Sequence, residues 1–199
     1  MLIHFAKKLT IFLKKLFSIF LIFNLTCVST AQAAGVFVDS FSVNSEETEP
    51  RGLTFNNDGT KMFVIGWTGD DVNEYTLSTG FDVSTSSFVD SFSITNTVPG
   101  KENDPRDVKF NSNGTKMFVL GRANDKVYEY TLSTGFDVSS ASFVDSFSVS
   151  SEDENPAAVA FNDDGTKMFV LGVDDDDVNE YTLSCAYKVV GESMWILFY

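Results

Sequence analysis

The side chains able to do chemistry in this chain are almost all carboxylates, set in pairs and runs. One series is Asp70 and Asp71, then Asp125, then Asp174 to Asp177; the other is Glu46, Glu47 and Glu49, then Glu102 and Asp104, then Glu152, Asp153 and Glu154. Clustered carboxylates suit a hard cation, because calcium takes six to eight oxygen ligands and secreted modules hold it at about millimolar affinity. Asp70, Asp71, Asp174, Asp175, Asp176 and Asp177 are therefore the candidate calcium ligands, although the D-x-D-x-D-G order of a helix-loop-helix calcium site is absent. The competing expectation is a solvated, mutually repelling rim that keeps a β-rich protein in solution.

Groups for other chemistry are scarce. The single histidine, His4, lies in the first 33 residues, so beyond them no imidazole is present for base catalysis, a nucleophilic triad or zinc. Cys185 is the only cysteine after Cys27, which excludes an internal disulfide in a chain lacking the leader. The first 33 residues read as that leader: Lys7, Lys8, Lys14 and Lys15, an apolar run from Leu16 to Val28, then Ala31-Gln32-Ala33 as a cleavage site. A 13-residue apolar run is short of the roughly 20 that span a bilayer. Cleavage removes four of the 14 basic residues and no acid, leaving 10 against 28 and a net charge of −18. Such a charge argues against nucleic acid and anionic membrane as partners. The expected location is secreted, periplasmic or at the cell surface.

The elements that must position these groups are repeated. FNNDGTKMFVIG from Phe55 returns as FNSNGTKMFVLG from Phe110 and FNDDGTKMFVLG from Phe161; EYTLS starts at Glu74, Glu129 and Glu180, and FVDSFS at Phe37, Phe88 and Phe143. The spacing is 55 and 51 residues, the size of a propeller blade or solenoid unit. Within a unit, Arg51 to Phe55 alternates as a strand, the Asn/Asp/Gly stretch after it makes a hairpin turn, and Met62 to Ile65 is apolar throughout, as in a strand covered on both faces. Val72 to Leu77 and Ser87 to Ile94 supply a third and a fourth strand. The fold class is thus all-β: propeller-type repeats of four short antiparallel strands. Of 15 Phe after the leader, 12 fall on four repeated positions (37/88/143, 41/92/147, 55/110/161 and 63/118/169), predicting an aromatic core between blades.

The motif F-N-x-D-G-T-K-M-F-V followed by V-x-E-Y-T-L-S resembles the blades of secreted bacterial β-propellers of the YVTN or lactonase-like type, and FVDSFSV…YTLSTGFDVS is similar to repeats of large secreted or surface proteins of marine bacteria. The resemblance covers residues 37 to 184, implies a propeller, and leaves function open between binding, scaffolding and catalysis.

The strand order reads d, abcd, abcd, abc, with a leader at 1–33, three blades over 34–184 and an atypical tail at 185–199, where Met194 to Tyr199 is apolar and either caps an edge or ends out of pattern. Propellers close with four to eight blades, so three blades predict an open arc, a shortened propeller, or two copies joined head to tail as a six-bladed homodimer. The near identity of the repeats and the missing histidine predict a secreted, non-enzymatic binding or scaffold module for a protein or glycan ligand, without a cofactor unless calcium. The alternatives are a lactonase-like or calcium-dependent hydrolase, for which the innermost strands offer only Thr54, Lys109 and Ala160, and a fragment of a longer surface protein. The insertion Thr97 to Glu102, with Arg106 and Arg122 as nearby cations, is where the repeat is broken and a unique contact is expected.

Overall fold

The computed structural model of the chain describes residues 35–98 and 101–189. The proposed leader, Pro99 and Gly100 of the insertion, and Met194 to Tyr199 of the tail lie outside these. Contacts divide the chain into two units, Met1–Val38 and Asp39–Tyr199. In the first, Gly35 to Val38 are exposed and form no regular structure. The second holds the three blades. Among the described residues no helix is long and apolar enough to cross a membrane.

Blade 1 is a sheet of β1 (Pro50–Phe55), β2 (Lys61–Gly66), β3 (Asp71–Leu77) and β4 (Ser86–Ser93), antiparallel and in chain order. Blade 2 repeats it with β5 (Pro105–Phe110), β6 (Lys116–Gly121), β7 (Lys126–Leu132) and β8 (Ala141–Ser148). Blade 3 has β9 (Pro156–Phe161), β10 (Lys167–Gly172) and β11 (Val178–Thr182), and no fourth strand among the described residues. The protein is therefore all-β, with propeller-type antiparallel blades, the last of them incomplete. The leading FVDSFSV segment, expected as a strand, forms none: none of the three described sheets takes it up as a strand.

The turn chemistry explains the hairpins. In blade 1 the Asp58 carboxylate accepts from the Thr60 N–H and hydroxyl, and Asn56 Oδ1 accepts from the Lys61 N–H. Gly59 has φ +72°, and an added Cβ would lie 2.4 Å from the Phe81 ring, so the turn requires glycine twice over. Blades 2 and 3 reproduce this with Gly114 against Phe136 and Gly165 against Tyr187. Tyr187 and Val189 thus occupy the places of Phe136 and Val138, and the structural repeat continues five residues past the expected boundary at 184.

Successive blades pack face to face, with β1 against β5 and β5 against β9. Phe63, Ile65 and Val72 of blade 1 share a core with Val108, Met117, Val119 and Tyr130 of blade 2; Phe118, Leu120 and Val127 do the same with Val159, Met168 and Val170. Strands β2 and β6 are consequently buried from Met62 or Met117 onward, whereas β10, with no blade beyond it among the described residues, alternates. The aromatic expectation holds for three of the four repeated positions in the joints between blades. It fails for Phe37 and Phe88, which are exposed: Phe88 lies on the outermost strand, meeting only the edge of Tyr75 at 5.8 Å.

Candidate functional site

The loops joining one blade to the next and the turns between second and third strands emerge together, and here the structure changes the reading of the acidic residues. Glu47, Glu102 and Asp153, expected on a solvated rim, are buried. Glu102 accepts from the N–H groups of Asp104 (2.9 Å), Ala123 (3.0 Å) and Asn124 (3.2 Å), and from the Tyr128 hydroxyl (3.2 Å). Glu47 takes the amides of Glu49, Thr68 and Gly69, and Asp153 those of Asn155, Asp174 and Asp175. Each carboxylate pins the loop ahead of its own blade to that blade's next turn, answering amides that would otherwise be unpaired. The glycine ending the second strand makes room: an added Cβ would lie 2.2 Å from Glu102 at Gly121 and 2.0 Å from Asp153 at Gly172. Burial alone would raise the Glu47 carboxyl, but the amides of Glu49, Gly69 and Thr68 outweigh it and hold the group below its ordinary value.

The proposed calcium ligands lie on the adjacent turns. Asp70 has φ +51° and a buried Oδ1 without a hydrogen-bond partner; burial raises it and Asp71, whose carboxylate accepts from Asn73 Nδ2 at 2.8 Å. Asp174 accepts from Asn155 Nδ2 at 3.2 Å and Asp177 from Asn179 Nδ2 at 2.9 Å, while Asp175 and Asp176 point to solvent at an exposed turn. Among the described residues no three acidic, histidine or cysteine side chains are grouped to hold a metal ion.

Between these clamped loops a groove of about 530 Å³ is lined by Trp67 from blade 1, Asn103, Asp104, Arg122 and Ala123 from blade 2, and Glu154, Asn155 and Asp174 from blade 3. Its chemistry comes from one broken repeat position: after the clamp glycine stand Trp67, Arg122 and Val173 in turn. Arg122 Nε donates to Asp104 Oδ2 at 2.7 Å, and its Nη1 reaches Asn155 Oδ1 at 3.4 Å. Arg106 turns to the same carboxylate, with Nη2 donating at 3.1 Å and Nε 3.0 Å from Oδ1 as an ionic contact off the hydrogen-bond axis. Two guanidinium groups on one carboxylate leave a positive charge over in an acidic neighbourhood. Trp67 presents an exposed ring, with Arg51 5.8 Å from its centroid, and Glu154 is exposed without a hydrogen-bond partner among the described residues. A flat aromatic face, a guanidinium, an amide and a free carboxylate together suit a polyhydroxylated ring carrying a polar carbonyl.

Of the two cations near the insertion, Arg122 lines this groove and Arg106 lies behind it on Asp104, while the insertion itself is structural: Val98 is buried and the Thr97 hydroxyl caps β4. Trp67 escaped the sequence reading, although the mismatch Trp67/Arg122/Val173 inside a near-identical repeat was a visible signal. The innermost-strand residues Thr54, Lys109 and Ala160 line a different cavity of about 510 Å³ at the hairpin end. There Lys109 is tied to Asp107 at 2.6 Å, and Asp107 also takes the amides of Val108 and, across the joint, Val159.

No known family profile matches the sequence, and no match is found among curated proteins. Solved structures do match. A proposed 6-phosphogluconolactonase from Bacteroides uniformis is 14% identical with a TM-score of 0.52, covering 68% of this chain and 37% of its own. The periplasmic gluconolactonase of Pseudomonas aeruginosa is 19% identical with a TM-score of 0.50, covering 67% of this chain and 35% of that one. A functionally unknown protein from Desulfotomaculum acetoxidans reaches 23% identity and a TM-score of 0.56, covering 80% and 47%. At such identities the likeness is one of fold, and the chain spans between about a third and a half of the length of these neighbours. The expectation of a non-enzymatic binding or scaffold module is corrected at this point: two of these three neighbours are named as lactonases, the alternative that the sequence left open, and none is named as a scaffold.

Proposed function

We propose that the protein is a lactonase-like hydrolase that opens a sugar lactone in the groove between Trp67, Arg122 and Glu154. The observation carrying this reading is the break in repeat identity that sets an aromatic ring and a guanidinium on neighbouring blades beside an unpaired carboxylate, on a fold shared with gluconolactonases. In the reaction, Glu154 takes a proton from water as its oxygen bonds to the lactone carbonyl carbon. Arg122 stabilises the negative charge that develops on the carbonyl oxygen. Collapse of that intermediate breaks the ring C–O bond, the ring oxygen leaves with the proton that Glu154 took from water, and the product is the open hydroxy acid with the Glu154 carboxylate restored. Trp67 supplies a stacking face for the sugar ring. An exported, periplasmic setting agrees with the leader and with the location of the Pseudomonas neighbour, and the blade repeats agree with those of secreted propellers.

The test is ring opening of glucono-δ-lactone and of its 6-phosphate, followed by acid release and corrected for spontaneous hydrolysis, with millimolar calcium and with chelator. The expected result is acceleration that falls about 10²- to 10⁴-fold in Glu154→Gln and about 10²- to 10³-fold in Arg122→Leu, with KM raised in Trp67→Ala. Absence of acceleration for both lactones in both media would contradict the proposal. Dependence on calcium would assign the acidic turns, Asp70, Asp71 and Asp174 to Asp177, as its binding sites.

A further inference from the structure

Among the described residues the joint between blades is built twice and left half-built at each end. In the first joint Lys61 Nζ donates to Glu74 (2.6 Å) and to the Phe136 carbonyl of the next blade (2.6 Å), and Glu74 accepts from the Val138 N–H (3.0 Å). In the second, Lys116 bridges Glu129 and the Tyr187 carbonyl while Glu129 accepts from Val189 at 2.9 Å. Each joint also closes a triangle of rings: Phe63 with Phe110 and Phe136 at 4.4 and 6.3 Å, and Phe118 with Phe161 and Tyr187 at 4.4 and 6.2 Å.

The same parts stand unmatched at the two ends. Blade 3 carries the pair Lys167–Glu180, the ring of Phe169 and a bare apolar face, where Leu171 is 43% and Val178 62% exposed although their counterparts Ile65, Leu120, Val72 and Val127 are fully buried. Blade 1 carries the complementary half. Its Phe55 and Phe81 rings meet at 5.5 Å without a third, and Leu53 is 54% exposed against 0% and 2% for Val108 and Val159. Phe41, Val43, Leu53, Met62, Val64 and Val83 line an apolar groove of about 320 Å³ on that face.

The outer strand is divided in the same way. Among the described residues blade 3 lacks a fourth strand, and the segment that repeats the sequence of β4 and β8 sits ahead of blade 1 without a partner strand. It is already in place for one: Phe41 meets Tyr75 edge-on at 5.6 Å, as Phe92 of β4 meets Tyr130 and Phe147 of β8 meets Tyr181, each at 5.3 Å.

We propose that the open face of blade 3 docks on the open face of blade 1 of a second copy of this chain, whose residues 37–43 become the fourth strand of blade 3. By the register of the two complete blades, Val178 pairs with Phe41, Asn179 with Ser40 and Glu180 with Asp39 of that copy. Lys167 reaches its Phe81 carbonyl, Glu180 its Val83 N–H, and Phe169 completes its ring triangle. Two copies closed on each other give six blades, within the range of four to eight that propellers adopt, whereas three copies give nine. The inference stands on the joint geometry and is independent of the catalytic reading.

Light scattering of the purified protein tests it, together with Leu171→Asp and Val178→Asp. Both residues are exposed in a single copy, so a charge there leaves the fold intact, which far-ultraviolet circular dichroism checks. The expected result is twice the monomer mass for the natural sequence and a single monomer mass, with an unchanged spectrum, for each variant. A monomeric natural protein, with blade 3 capped by the segment after Val189 or by nothing, overturns the proposal, as does a dimer that both variants leave intact. Lactone hydrolysis by a monomer would overturn this pairing and leave the catalytic reading standing.

Discussion

The residues that hold this molecule together are acids that a charge count assigns to the solvent. Glu102 is fully buried and takes three backbone amides and a tyrosine hydroxyl, so its removal strands donors in an apolar setting. Glu102→Ala is expected to destabilise by about 3 to 5 kcal/mol, and Gly121→Ala, whose Cβ would meet the same carboxylate, by about 1 to 3 kcal/mol; urea melts read both, and an unchanged midpoint for either would show that the clamp carries no stability. The signal for this role was present in the sequence as an acid three residues ahead of Pro50, Pro105 and Pro156 in every copy. It was not decisive there, because a carboxylate beside Pro and other acids looks the same whether it faces water or a ring of amides. Trp67 was missed for a related reason: repeats draw attention to what recurs, and its importance lies in not recurring.

At the scale of the element, the strands were legible because their causes are local. Asn, Asp and Gly at Asn56 to Gly59 make the hairpin wherever the chain is placed, and the unbroken apolar run Met62 to Ile65 states that both faces are covered. The segment Phe37 to Val43 differs from its strand reading because a strand needs a neighbour, and its sequence is that of β4 and β8 with no such neighbour among the described residues. Lys61 and Glu74 were unreadable as joint members for the same physical reason, since their partners are backbone groups some 60 to 75 residues away. The ring at Phe118 is the centre of the second joint, fully buried against Phe161 and Tyr187. Phe118→Ala is therefore expected to cost about 3 to 5 kcal/mol, measured by chemical denaturation. A loss below about 1 kcal/mol, the range of surface changes, would mean that the blades do not depend on their stacking.

For the whole molecule, one joint explains the order of blades, the two bare faces and the missing outer strand. In the proposed pairing of two copies, its completion would bring each open face to the burial of the inner ones. Hydrogen exchange of the amides on the outer side of β11 tests this most directly, because the equivalent amides of β3 and β7, paired with β4 and β8, serve as standards in the same sample. Protection of Val178 to Thr182 matching that of β3 and β7, and lost in Leu171→Asp, is the predicted result. Unprotected exchange along the outer side of β11 in the natural protein, with β3 and β7 protected, would contradict the account.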